Sequence, residues 1–165
     1  MNPPITVEQL EQMAEHVQYE IAEFRKAIRT VQLLKYSDVG WNATIESGLL
    51  HFRILRAFFF AERGPRNKDN DDVFAEQYIV GWKPKKDPVF DATREAINKR
   101  MAHLTLKRLT PWRWTLDGDM NKAIEQLVAD FKIGLSHTQK KWFTRLDTPS
   151  VVTVSDGASY STHSD

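Results

Sequence analysis

Apolar residues recur in steps of three and four along the first part of the chain: Leu10, Met13, Val17, Ile21, Phe24, Ile28, Val31 and Leu34. That spacing holds them on one stripe of a helix. Thr6 and Gln9 stand just ahead at capping-box spacing, so that hydroxyl and amide each satisfy a free backbone donor. The pattern predicts a helix that lasts to about residue 35, some 45 Å at roughly 1.5 Å per residue. Such a length suits an antiparallel bundle or a dimer seam. Tyr36-Ser37-Asp38-Val39-Gly40 supplies the break.

A second helix is predicted from about Trp41 to Arg63, stopped by Gly64-Pro65. At about 100° per residue, Gly48, His51, Leu55 and Phe58 line up, with Phe52, Ile54 and Phe59 beside them and Glu46 and Arg53 pointing away. After a polar loop over Arg66 to Asn70, Asp71-Asp72 opens a short helix through about Val80, since acidic residues favour a helix N-terminus. Gly81, Pro84 and Pro88 mark a connection. The third long helix runs from Pro88 or Val89 to Leu109 and buries Phe90, Ile97, Met101 and Leu104. A separate stripe holds Ala96, Arg100, His103 and Lys107, with Lys99 at its edge. Thr110-Pro111 ends that helix, and Trp112 and Trp114 follow in a loop that folds back. The last helix is capped by Asp119 after Gly118 and turns Ile124, Leu127, Val128, Phe131, Leu135 and Trp142 inward.

These elements make an all-α, up-and-down bundle of four long helices and one short one, a single domain over residues 1–146. From residue 147 to 165 the composition shifts to Ser, Thr, Asp and Gly, which reads as a flexible tail able to meet a protein partner. Exposed apolar flanks on the long helices, Phe60 among them, favour a homodimer.

Composition narrows the chemistry. The 165 residues contain no cysteine, which excludes disulfides and thiolate metal sites. No apolar run approaches the ~18 residues of a membrane span, because Arg53 and Arg56 interrupt the best candidate. The N-terminus lacks the features of a signal peptide, so the expectation is a soluble cytoplasmic protein without a membrane partner. A net charge of +1 conceals an asymmetry. Residues 1–23 hold Glu8, Glu11, Glu15, Glu20 and Glu23 with no Lys or Arg, whereas nine cations lie between Lys83 and Arg113. Such a basic band attracts phosphates or, in the plainer reading, forms a solvated face paired with the acidic first helix.

His51 admits two readings: a neutral core ring bonded to a carbonyl or carboxylate, or the floor of a pocket facing His103. Glu46 lies five residues before His51 and points away, so the Glu-x-x-His pattern of di-iron bundles is not met. Asp69, Asp71, Asp72 and Glu76 match no calcium loop and read as capping residues. No glycine-rich phosphate loop or nucleophile elbow occurs, and no metal or cofactor is expected. Arg100, His103 and Lys107 form the sharpest constellation. Cations on both sides lower the histidine pKa and leave a neutral base near pH 7. Such a base removes a 2′-hydroxyl proton while arginine stabilises the phosphorane. Alternatively these cations are surface charge and His103 bonds a neighbouring helix. Trp112 and Trp114 beside Arg113 either stack bases or pack as a lid.

Glu46-Ser-Gly-Leu-Leu-His51-Phe-Arg53-Ile-Leu-Arg56-Ala-Phe58-Phe59-Phe60 and Ile97-Asn98-Lys99-Arg100-Met-Ala-His103-Leu-Thr105-Leu-Lys107-Arg108 carry a family likeness. With Asp71-Asp72-Val-Phe-Ala-Glu76 and Gly81-Trp82 between them, they resemble small bacterial helical proteins distantly similar to the HEPN superfamily, over roughly residues 5–145. That superfamily includes nucleotide-binding and RNA-cutting modules that often dimerise so that two basic sites share a cleft. The resemblance implies RNA or nucleotide binding through Lys99, Lys107, Arg108 and Arg113, a catalytic pair of Arg100 and His103, and a pocket near His51 and Asn98. The family's nuclease motif is an arginine, four to six intervening residues, then a histidine. Here Arg100 precedes His103 by too few residues and Arg94 by too many, while Asn98 has the right gap but the wrong side chain. The implied cleavage is therefore weak or lost, and the alternative is a non-catalytic helical interaction module.

Overall fold

The computed structural model describes residues 5–35, 38–61, 72–102, 106–109 and 116–147, and for residues 100–102, 107 and 108 the backbone alone. The chain folds as an all-α bundle, and no strand occurs among the described residues. Its helices are α1 (Val7–Leu33), α2 (Gly40–Phe60), α3 (Ala75–Tyr78), α4 (Pro88–Ala96), α5 (Gly118–Gly134) and α6 (His137–Trp142). A π-helical stretch, Ile97–Ala102, continues α4, and a 3-10 turn spans Leu106–Leu109. Among the described residues, no helix is long and apolar enough to cross a membrane.

The capping box at the start of α1 is formed: Thr6 Oγ1 accepts from the Gln9 amide at 3.2 Å, and Gln9 Oε1 accepts from the Thr6 amide at 2.8 Å. The predicted stripe is buried from Leu10 to Val31, with Met13 and Leu34 at its half-buried margins. α2 packs antiparallel against α1. Phe24 meets Phe52, with ring centroids 5.9 Å apart, and Ala27 faces Gly48. A Cβ on residue 48 would come 3.0 Å from the Ala27 Cβ and closer still to Leu116, so only glycine fits there without a shift. Contacts of α5 fix its direction. Leu116, just before the helix, lies over Gly48, while Phe131 packs on Phe58 and Phe59, so α5 runs parallel to α2 and antiparallel to α1.

Phe131 is the centre of the core. Phe58, Phe59, Tyr78, Trp82 and Phe143 surround its ring with centroids 5.2–5.8 Å away and planes inclined by 72–87°. Edge-to-face geometry of this kind matches the quadrupoles of the rings and adds to the stabilisation from area burial. The Tyr78 hydroxyl donates to the Leu10 carbonyl at 2.8 Å, and burial pushes its pKa well above the ordinary phenol value. Desolvation thus keeps this hydrogen-bond donor neutral.

Several predicted boundaries change. α2 stops at Phe60 rather than near Arg63, with Ala61 at φ 51° in the left-handed conformation. Asp71 lies outside the described residues and Asp72 is not helical; α3 starts at Ala75 behind buried Phe74, whose amide donates to Gln77 Oε1 at 2.6 Å. Asp117, not Asp119, caps α5 by accepting from the Met120 amide. The last predicted helix is two helices. Leu135 is extended and Ser136 starts α6, because Ser136 and Gln139 form a second capping box. Among the described residues, four long helical stretches are therefore accompanied by two short helices where the pattern predicts one. The third long helix is not one regular α-helix either, since it turns π-helical at Ile97. Phe90 and Ile97 are buried as predicted, whereas the side chains of Met101 and Leu104 lie outside the described residues, as does the tail beyond Asp147. Phe60 is not an open flank: it is half-buried against Phe90 and the Arg56 guanidinium.

Two substitutions test this packing. Gly48→Val overfills the α1–α2 crossing and should cost about 1–3 kcal/mol in urea denaturation despite removing a helix glycine. Phe58→Ala should cost about 3–5 kcal/mol. A neutral result for either would mean that this face of α2 does not meet α1 and α5 as described.

Candidate functional site

Two regions carry chemistry. The first is the basic stretch singled out by the sequence. Lys83, Lys85 and Lys86 are exposed on the extended connection into α4, which Trp82 anchors by donating Nε1–H to the Phe59 carbonyl at 2.8 Å. α4 itself starts cleanly: Asp87 accepts from the Val89 amide at 2.9 Å and Pro88 occupies the first turn, where its missing donor costs nothing. The regular helix lasts only nine residues before it widens into the π-helical stretch. Asn98 there is half-buried and Lys99 exposed.

This widening bears on the described part of the predicted stripe, Ala96 and the Arg100 backbone. A stripe through Ala96, Arg100, His103 and Lys107 assumes 3.6 residues per turn, but π-helical bonding runs from i to i+5. Arg100 belongs to the π-helical stretch, and Lys107 and Arg108 to the 3-10 turn, with side chains outside the described residues. His103, Arg113, Trp112 and Trp114 also lie outside them; of the predicted site, the described part of this stretch holds Asn98, Lys99 and the Arg100 backbone.

The second region is built on the α1–α2 seam, and sequence reasoning saw only half of it. His51 is buried at 9% exposure, on the core face as predicted. Its Nδ1 lies 2.7 Å from Glu20 Oε2, and Tyr19 presses edge-on to the ring at a centroid distance of 6.1 Å. The imidazole is thereby satisfied by a carboxylate of the acidic first helix. Glu20, at 20% side-chain exposure, keeps a face toward a half-open cleft of about 360 Å³. One turn earlier on α1, His16 lines the same cleft, opposite Ile54 and Phe58 of α2, and Asp72 stands at its edge. Two of the first helix's other glutamates pair elsewhere: Glu15 with Arg145, and Glu23 with Lys26.

Further polar groups were missed because their partners are remote in sequence. Arg56, 5% exposed, sits within α2, donates to Asp91 at 3.2 Å and lies over Phe60. Arg25 grips both Glu125 oxygens at 2.6 Å and the Leu146 carbonyl at 2.7 Å. Buried Gln18 donates to the Ala14 and Trp142 carbonyls and accepts from the Arg145 amide at 2.6 Å. These ties lock the segment after α6 onto α1. Among the described residues, no group of three His, Asp or Glu side chains is arranged to hold a metal ion.

A double-mutant cycle on Glu20→Gln and His51→Phe should return a coupling of about 0.5–3 kcal/mol, as expected for a shielded hydrogen-bonded pair. Strict additivity of the two changes would show that the contact does not form.

No family model matches the sequence, and no curated protein or solved structure matches it at a significant level.

Proposed function

We propose that this chain is a HEPN-like helical module that binds RNA or a nucleotide through its basic stretch, with weak or lost metal-independent cleavage. The observation that carries this reading is the π-helical stretch Ile97–Ala102, which bears Asn98, Lys99 and Arg100. Single π turns within α-helices occur frequently at functional sites. Exposed Lys83, Lys85 and Lys86 on the connection into α4 add to the positive field available to phosphates. Binding takes precedence over cleavage because no arginine stands at the family's spacing before His103. Lys99, Lys107, Arg108 and Arg113 would hold the backbone, and Arg100 with His103 would retain whatever cleavage persists.

A second reading has its own support. Leu106 and Leu109 are 84% and 80% exposed on the 3-10 turn, and Ile133 of α5 is 76% exposed. Apolar side chains left in water at this level suit a protein interface, either a second copy of the chain in a homodimer or another protein. That module would have no catalytic activity.

Titration with a labelled mixed-sequence RNA, without metal and over a salt series, separates the two. The first reading expects log affinity to fall linearly with log salt, by about 0.7 per phosphate contact on a single strand. The Arg100→Ala/His103→Ala variant should keep its melting temperature and lose affinity. RNA that fails to bind at low salt, or that binds this folded variant unchanged, would overturn the nucleic-acid reading in favour of the interaction module.

A further inference from the structure

We propose that the cleft between α1 and α2 binds a small molecule consisting of an apolar ring and a protonated amine. Its volume of about 360 Å³ falls in the range of ligand pockets, roughly 300–1,000 Å³, and is sufficient for a single-ring compound. Val17, Ile54, Leu55 and Phe58 give it apolar walls, closed on one side by Val73 and Phe74. Such walls favour an apolar body by removing its surface from water.

Charge selects the other end of the ligand. Glu20 and Asp72 both line the cleft, with His16 as the remaining titratable group on its wall. His51 holds one Glu20 oxygen at 2.7 Å, which fixes the carboxylate, while the other oxygen accepts no hydrogen bond among the described residues. A positioned carboxylate beside an apolar wall is a receptor for an ammonium group, whose desolvation is offset by the charge-assisted hydrogen bond. The Glu20 carboxylate repels acids and phosphates. The cleft is therefore a site distinct from the basic stretch, and its ligand is of opposite charge.

Phenethylamine is the probe, with 2-phenylethanol and 3-phenylpropionate as neutral and acidic counterparts of similar shape. Chemical-shift titration of the full chain should show saturable amine binding in the low-millimolar range. The alcohol should bind roughly tenfold more weakly, as expected for loss of one charged hydrogen bond, and the acid should not bind. Glu20→Gln should weaken amine binding by a similar factor, and alcohol binding by much less. Ile54→Trp, at a site already 39% exposed, should fill the cleft and abolish binding while the melting temperature holds. The proposal is overturned if the folded wild type shows no saturable amine binding, if the acid binds as well as the amine, or if Ile54→Trp binds like the wild type.

Discussion

At the crossing of α1 and α2, Ala27 meets the bare backbone of Gly48, with Leu116 filling the space a side chain would need. The arrangement of the remaining elements depends on this close approach. It sets one antiparallel register, from which Phe24 falls on Phe52 and Glu20 falls on His51. Sliding α2 by one residue would rotate every contact by about 100° and take the imidazole away from its carboxylate. Leu116 belongs to the approach to α5, so the same contact also fixes where the fourth long helix enters the bundle.

From that register the aromatic core follows. Phe131 collects rings from α2, α3, the Trp82 connection and the segment after α6, so one side chain joins most of the chain's elements. The buried polar groups do complementary work. Gln18, Arg56 and His51 each bond across to a remote segment: the chain after α6, α4 and α1 respectively. Burying a polar group is costly unless its hydrogen bonds are met. Each pairing therefore disfavours alternative packings of the same apolar stripes, which ring and methyl contacts alone would specify loosely.

The parts legible in the sequence are those set by local rules. The stripe of α1, its Thr6–Gln9 capping box and the core face of α2 with His51 upon it all follow from spacing. A second capping box at Ser136–Gln139 obeys the same rule, yet the apolar run from Ile124 to Trp142 masks it, and one helix was expected where two form. Asp117 and Asp119 are chemically equal as caps, and only the backbone at Asp117, extended at ψ 174°, decides between them. The change to π-helix at Ile97 leaves no mark in the hydrophobic pattern. Partner identity is likewise a product of register. Nothing within α2 indicates that His51 answers to Glu20, or that Arg56 is buried on Asp91.

That pairing bears on how the chain can act. A general base must present a ring nitrogen to the proton it removes. His51 is almost fully buried and places one nitrogen on Glu20, so its position suits organising a carboxylate better than attacking a substrate. The effect is to convert an apolar seam into one with a single oriented negative group at its edge. The cations meanwhile are carried by the connection into α4 and by the π-helical stretch, whereas Glu20 belongs to the seam. Two regions of opposite sign can then coexist on a small bundle because the first part of α1 supplies the acid, and the chain from Lys83 onward supplies the base. Among the ion pairs described here, the acidic helix spends its glutamates on Lys26, His51 and Arg145.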